Sequence, residues 1–169
     1  MHEAMECQGA AGAGLLNSRE AIRDLFDDYY ATLDAVDLEA WPNFFTEDCV
    51  YRVISRENYE RGFSLATIGA ESRGMLMDRV TGLRTTQVYA PRYYRRFAGP
   101  LKIGRGADGA VPVEHNLLLV QTLIDKQSEI ILSARCYDSV VEVDGRLALE
   151  RRDVVFDSEM IPNSLIYPA

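Results

Sequence analysis

At 169 residues, with 47% hydrophobic and 26% charged side chains, the chain has the length and composition of one globular domain with a sizeable core. Its net charge of −8 argues against nucleic acid and anionic membrane surfaces, whose phosphates would repel it. No apolar run is long enough to cross a bilayer, and the opening MHEAMECQGAAGAG carries acidic residues where a signal peptide needs basic ones.

Three cysteines (Cys7, Cys49 and Cys136) without CxxC spacing fit a reduced, cytoplasmic protein. Of 18 basic residues only Lys102 and Lys126 are lysine, a bias that suits buried and interfacial ion pairs and that high genomic GC content would also produce.

Residues 1–16 are Gly/Ala-rich without periodicity and read as a flexible tail preceding one α+β domain over 17–169. A helix capped by Asn17 or Ser18 follows, with Ile22, Leu25, Phe26, Tyr29 and Leu33 at helical spacing. Asp37 caps a short helix carrying Leu38, Trp41, Phe44 and Phe45, which Pro42 limits to a turn or two. Cys49–Ile54 and Phe63–Ile68 are strand candidates, separated by a polar connection over 57–62. A second long helix spans about Glu71–Leu83, a loop spans Arg84–Pro91, and Tyr93–Ile103 is extended with an interruption at Gly99-Pro100.

After a loop at Gly104–Pro112 come three strands: Glu114–Ile124, Glu129–Val143 and Arg146–Asp157. Asp144-Gly145 between the last two is a type I′ hairpin signal. A regular ladder from that turn sets Val143 opposite Arg146, Val140 opposite Leu149, Asp138 opposite Arg151 and Tyr137 opposite Arg152. Apolar residues on both faces of the first strand (Leu117, Leu119 and Leu123 against Leu118, Val120 and Ile124) predict cover on two sides. The tail after Met160, with two prolines and no period, reads as wrapping the surface.

Chemistry is sparse. His2 and His115 are the only histidines, and with His2 in the expected flexible tail a two-His–carboxylate iron site cannot be assembled; no GxGxxG, P-loop or GxSxG is present. Gly104-Arg-Gly-Ala-Asp-Gly109 reads as a flexible hairpin loop. Asp48, Tyr51 and His115 form the set for a carboxylate-using isomerase or dehydratase, and a cone plugged by Phe26, Tyr29, Trp41 and Phe45 would count against it. A small-molecule binding module is a third reading. Cys49 and Cys136 read as buried apolar side chains rather than nucleophiles.

The run Trp41-Pro-Asn-Phe-Phe-Thr-Glu-Asp-Cys-Val-Tyr-Arg-Val-Ile54 resembles the small (β) subunits of Rieske-type aromatic-ring-hydroxylating oxygenases, nearest the branch of terephthalate dioxygenase and salicylate hydroxylase. The similarity continues through Tyr59-Glu-Arg-Gly62, the helix Ser72–Arg84, Tyr93-Tyr-Arg-Arg96 and the hairpin Val143–Arg152. This resemblance implies a cystatin-like cone of the nuclear transport factor 2 type, with helices packed on a curved, mostly antiparallel sheet. It also implies a non-catalytic subunit, without catalytic, metal or cofactor ligands. The partner would be a large α subunit, in an α3β3 assembly with homotypic β contacts. The α subunit would hold the Rieske [2Fe–2S] cluster and mononuclear Fe(II), with electrons from NAD(P)H arriving through a reductase. For the interface, the expected residues are Arg79, Arg84, Tyr93, Arg95, Arg96, Arg135, Arg151 and Arg152, because arginine and tyrosine are enriched at interface anchors.

Overall fold

The structure, a computed structural model, describes residues 14–85, 90–158 and 165–169. Of the expected flexible tail, residues 1–13 lie outside it, as do residues 86–89 of the expected loop.

Helix α1 (Arg19–Asp34) begins at Ser18, whose Oγ accepts from the Ala21 N–H at 3.1 Å. Ile22, Phe26, Tyr29, Tyr30 and Leu33 form its buried stripe, each worth about 1.5–3 kcal/mol in apolar burial. It ends in a paired-carbonyl cap: Val36 N–H bonds Leu33 O and Asp37 N–H bonds Thr32 O, with Val36 at φ 60 where glycine is usual. The Asp37 carboxylate accepts from the Ala40 N–H, and Pro42 confines Trp41–Phe44 to a single 3-10 turn.

Strand β1 (Phe45–Ser55) is longer than its apolar run suggests. The polar connection after it is a short helix, α2 (Arg56–Glu60), ended by Gly62 at φ 71. Only Ile68–Ala70 (β2) of the next expected strand is extended. Then come α3 (Arg73–Thr85), β3 (Arg92–Ala98), β4 (Lys102–Ile103), β5 (Ala110–Leu123), β6 (Glu129–Val143) and β7 (Arg146–Phe156).

The strands form one sheet in the order β2-β1-β7-β6-β5-β3, with β4 also paired to β5. All pairings are antiparallel except β1 with β7. Helix α3 packs on β1 and β2, while α1 packs on β3 and β7, so both cover the inner face. Register shifts between Phe45 and Val50, Leu119 and Val120, and Ser139 and Val140 are bulges that bend a flat ladder into a cone.

The last bulge corrects the expected register. Asp144 (φ 51) and Gly145 (φ 74) make the hairpin turn, and Val143 pairs with Arg146 and Val140 with Leu149 as expected. Glu150 is then extra, so Ser139 pairs with Arg151, Asp138 with Arg152 and Tyr137 with Asp153. In a period-two element, one added residue exchanges the faces of everything beyond it. Arg152 thereby turns into the cone with Asp138, and Arg151 turns out.

The tail is the second correction. Leu165, Ile166, Tyr167 and Ala169 are buried rather than wrapped on the surface. They fill the mouth of the cone, a site no local pattern reveals.

Candidate functional site: the filled cone and its outer face

The cone interior holds a charged lattice around Arg152, whose side chain is 0% exposed. One guanidinium nitrogen donates to Asp138 Oδ1 at 2.9 Å. Another donates to the Tyr30 hydroxyl and lies 3.7 Å from Cys136 Sγ. The cation sits 4.5 Å from the Tyr29 ring centroid, a favourable stack in a desolvated site.

Tyr30 and His115 are joined at 2.6 Å through the phenol oxygen and Nε2. The phenol accepts from Arg152, so its own hydrogen points at Nε2. The imidazole proton is then on Nδ1, which faces Asp138 Oδ2 at 3.5 Å. Tyr30 is not among the residues expected on the helix stripe, although it lies four residues after Phe26 on the same face.

Burial sets the titration of these groups. It lowers His115 to about 3, helped by the nearby Arg152 charge, and the ring is neutral. It raises Asp138 to about 6 against the pull of Arg152, and raises Cys136 to about 12. The Cys49 thiol is also pushed up by burial, so neither cysteine is a thiolate nucleophile near neutral pH.

The acid/base set of the isomerase reading is not brought together. His115 is enclosed in the lattice, Asp48 is exposed on β1, and the Tyr51 phenol is engaged with Ala169. Phe26, Tyr29, Trp41 and Phe45 are all buried in the cone, at no more than 1% exposure, as the plugged alternative requires. Among the described residues, no three His, Cys, Asp or Glu side chains are grouped to hold a metal ion. His115 is a poor donor in any case, with Nε2 bound by Tyr30. The donor set among the described residues does not fit an iron or iron–sulfur group.

The expected interface residues divide. Arg152 is inside the cone and has no surface to offer a partner. Arg96, 7% exposed, pairs with Asp34 at 2.7 Å and also donates to the Pro168 carbonyl. Arg79 is half-buried and donates to the Ile166 carbonyl at 3.3 Å. These three departures share one cause: strand or helix parity, set by bulges and packing, aims them inward. Arg84 is exposed and clasps Glu39 through two bonds of 2.9 and 2.8 Å. Arg151 is exposed and holds the buried Asp153, which Arg52 grips from the next strand.

Tyr93, Arg95 and Arg135 are exposed on the outer face of the sheet, beside Phe97, Leu118 and Val120. Arg56, Tyr59 and Glu60 of α2 overhang this face, Tyr59 stacking on Tyr137 at 5.3 Å. A groove of about 780 Å³ runs between them, lined by Phe97, Asn116, Leu118 and Arg135. On this second face of β5, Leu118 and Val120 are half-buried and Ile124 is 70% exposed.

A family model of the ring-hydroxylating β subunit matches residues 31–163. The chain belongs to that family. This β subunit is 32% identical to the anthranilate 1,2-dioxygenase small subunit of Burkholderia cepacia, over 83% of its own length and 87% of the relative's. It is 30% identical to subunit beta 1 of the terminal oxygenase component of a Comamonas terephthalate 1,2-dioxygenase, covering 83% and 91%. A Novosphingobium aromaticivorans structure assigned to the β subunits of aromatic-ring-hydroxylating dioxygenases superposes with a TM-score of 0.79 at 31% identity, covering 88% and 94%.

The β subunit thus has the nuclear transport factor 2-like α+β cone that its motifs implied, and it is the small subunit of an oxidoreductase complex rather than a stand-alone isomerase. Among the described residues no helix is long and apolar enough to cross a membrane.

Proposed function

We propose that this chain is the non-catalytic, structural β subunit of a Rieske non-haem iron oxygenase that hydroxylates a carboxylated aromatic ring. The observation that carries the reading is the filled cone. The Arg152–Asp138–His115–Tyr30 lattice and residues 165–169 occupy the volume where an enzyme of this shape would need an open, polar cavity. The relatives named for anthranilate and terephthalate, both aromatic carboxylates, support that substrate class.

The partner is a large α subunit carrying the Rieske [2Fe–2S] cluster and the mononuclear iron, with NAD(P)H supplying electrons through a reductase. The assembly is cytoplasmic and of α3β3 form, with β–β contacts. Docking uses the outer face around Tyr93, Arg95 and Arg135, flanked by Arg84 and Arg151. Arg95 and Arg135 have no carboxylate partner among the described residues, and Phe97, Tyr93 and Ile130 are 58%, 59% and 62% exposed beside them.

Co-expression with the large oxygenase subunit tests this. Native mass spectrometry is expected to give a mixed hexamer, with all iron and sulfide accounted for by the large chain. A β chain that stays monomeric beside a correctly folded, cluster-loaded α chain would refute the proposal.

A further inference from the structure

Residues opposite each other in an antiparallel pair share a face, so the register arranges the outer side of the sheet in rows. Asn116 lies beside Arg135, Phe97 beside Leu118 and Ser133, and Arg95 beside Val120 and Ile130. Phe97 and Ile130 are exposed, and Leu118 and Val120 are half-buried. The groove of about 780 Å³ covers the first two rows, with Tyr59 and Glu60 of α2 on one flank and Phe97 on the other. Its floor is mainly β5 and β6. Two strands at ordinary spacing are roughly 10 Å across, and an α-helix with its side chains measures about 10–12 Å. The groove has the width of one helix.

Its charges define what that helix carries. Arg135 reaches Asn116 at 3.5 Å and forms no ion pair among the described residues, and neither does Glu60. Asp157, at the edge of the groove, is already held by Arg56 and Ser133. A two-fold pairing of this face with itself would bring two arginine-bearing surfaces together. The described helices of this chain do not suit the groove either. The solvent side of α1 carries Arg23, Asp24, Asp27 and Asp28 without an exposed large apolar side chain. Helix α3 exposes Met75 and Met77, two residues apart and so on different sides.

We infer, resting on the α–β assembly proposed above, that the groove seats one amphipathic helix of the large α subunit. Its apolar residues, spaced i, i+3, i+4 and i+7, meet Phe97, Leu118, Val120 and Ile130. It brings a carboxylate to Arg135 and a cation to Glu60. The sheet then has helices on both faces, α1 and α3 inside and the partner's outside, which is the cover that a strand apolar on two sides calls for.

The test uses the co-expressed α–β complex. Phe97 and Ile130, both exposed, are replaced one at a time by the photocrosslinking residue p-benzoylphenylalanine. Both are expected to capture a single segment of the α chain, at sites three, four or seven residues apart. Arg135→Glu is expected to weaken association about tenfold, and changing the captured segment's carboxylate to arginine to restore it. Capture of a second β chain, capture sites two residues apart, or a failed charge reversal overturns the inference. In the wild-type complex, hydrogen exchange is expected to slow on assembly in one helical segment of α. Slowing confined to strands or loops of α overturns the inference even if neither crosslinking variant assembles. A wild-type chain that never joins the α subunit refutes the assembly and this inference together. An intact hexamer without the helical crosslinks refutes this inference alone.

Discussion

His115 and Asp138 are neighbours whose titrations oppose each other. His115 is depressed from 6.5 to about 3, so the unfolded chain takes up a proton that the folded chain refuses. That stability is whole above pH 6.5 and is lost as pH falls toward 3. Asp138 is raised from 3.8 to about 6, so its contribution is whole below pH 3.8 and is lost as pH rises through 6. Between pH 6 and 3.8 the two slopes cancel in the wild type. His115→Gln, whose amide can still accept from Tyr30 and donate to Asp138, removes one of them. Relative to wild type, the variant is expected to gain about 1.4 kcal/mol per pH unit of acidification in that window. Urea unfolding of both proteins across the window measures it, and a pH-independent difference would contradict the assignment of His115 as buried and neutral.

At the scale of elements, the bulge at Glu150 absorbs the one residue that would otherwise turn Arg152 away from Asp138. Deleting Glu150 removes the bulge and leaves Ser139 opposite Arg151 and Asp138 opposite Arg152, because only the extra residue is lost. The deletion is expected to cost about 1 kcal/mol or less, read as a small shift in unfolding midpoint. Inserting an alanine between Arg151 and Arg152 moves the guanidinium off the inner face and abandons a buried carboxylate. A loss of about 3–5 kcal/mol is expected, and an insertion as benign as the deletion would disprove the face-setting role.

The same contrast explains what was legible beforehand. The stripe of α1 and the Asp144-Gly145 turn are local, set by spacing and by φ preference, and they match the sequence reading; of the two cap candidates, Asn17 and Ser18, the helix uses Ser18. The bulge is not local: it answers to the curvature of neighbouring strands, so a regular ladder gives Arg152 and Tyr137 the wrong partners. The parallel pairing of β1 with β7 and the inward course of residues 165–169 depend on surfaces that exist only after folding. Of the interior lattice, the sequence offered His115, Asp138 and Arg152 as separate residues, while their convergence required the register.

The molecule as a whole is acidic, at −8, yet its outer sheet face presents Arg95 and Arg135 without acidic partners among the described residues. Such a face favours a partner surface that combines apolar contact with carboxylates. Arg135→Glu combined with Phe97→Asp is expected to abolish co-purification with the α subunit while leaving the circular dichroism of the β subunit unchanged. Asp24→Lys, on the solvent side of α1, is expected to leave assembly intact. Assembly that survives the first pair would place the interface elsewhere.

The union of β1 with β7 also has a consequence in time. Arg52 and Asp153, bonded at 2.6 Å across these strands, lie 101 residues apart. During synthesis β1 leaves the ribosome long before its only long-strand neighbour exists, whereas β5, β6 and β7 are joined by short connections and can zip as they emerge. The β7 edge of β1 therefore has no partner until the last strand is made, and only the short β2 can pair with β1 before then.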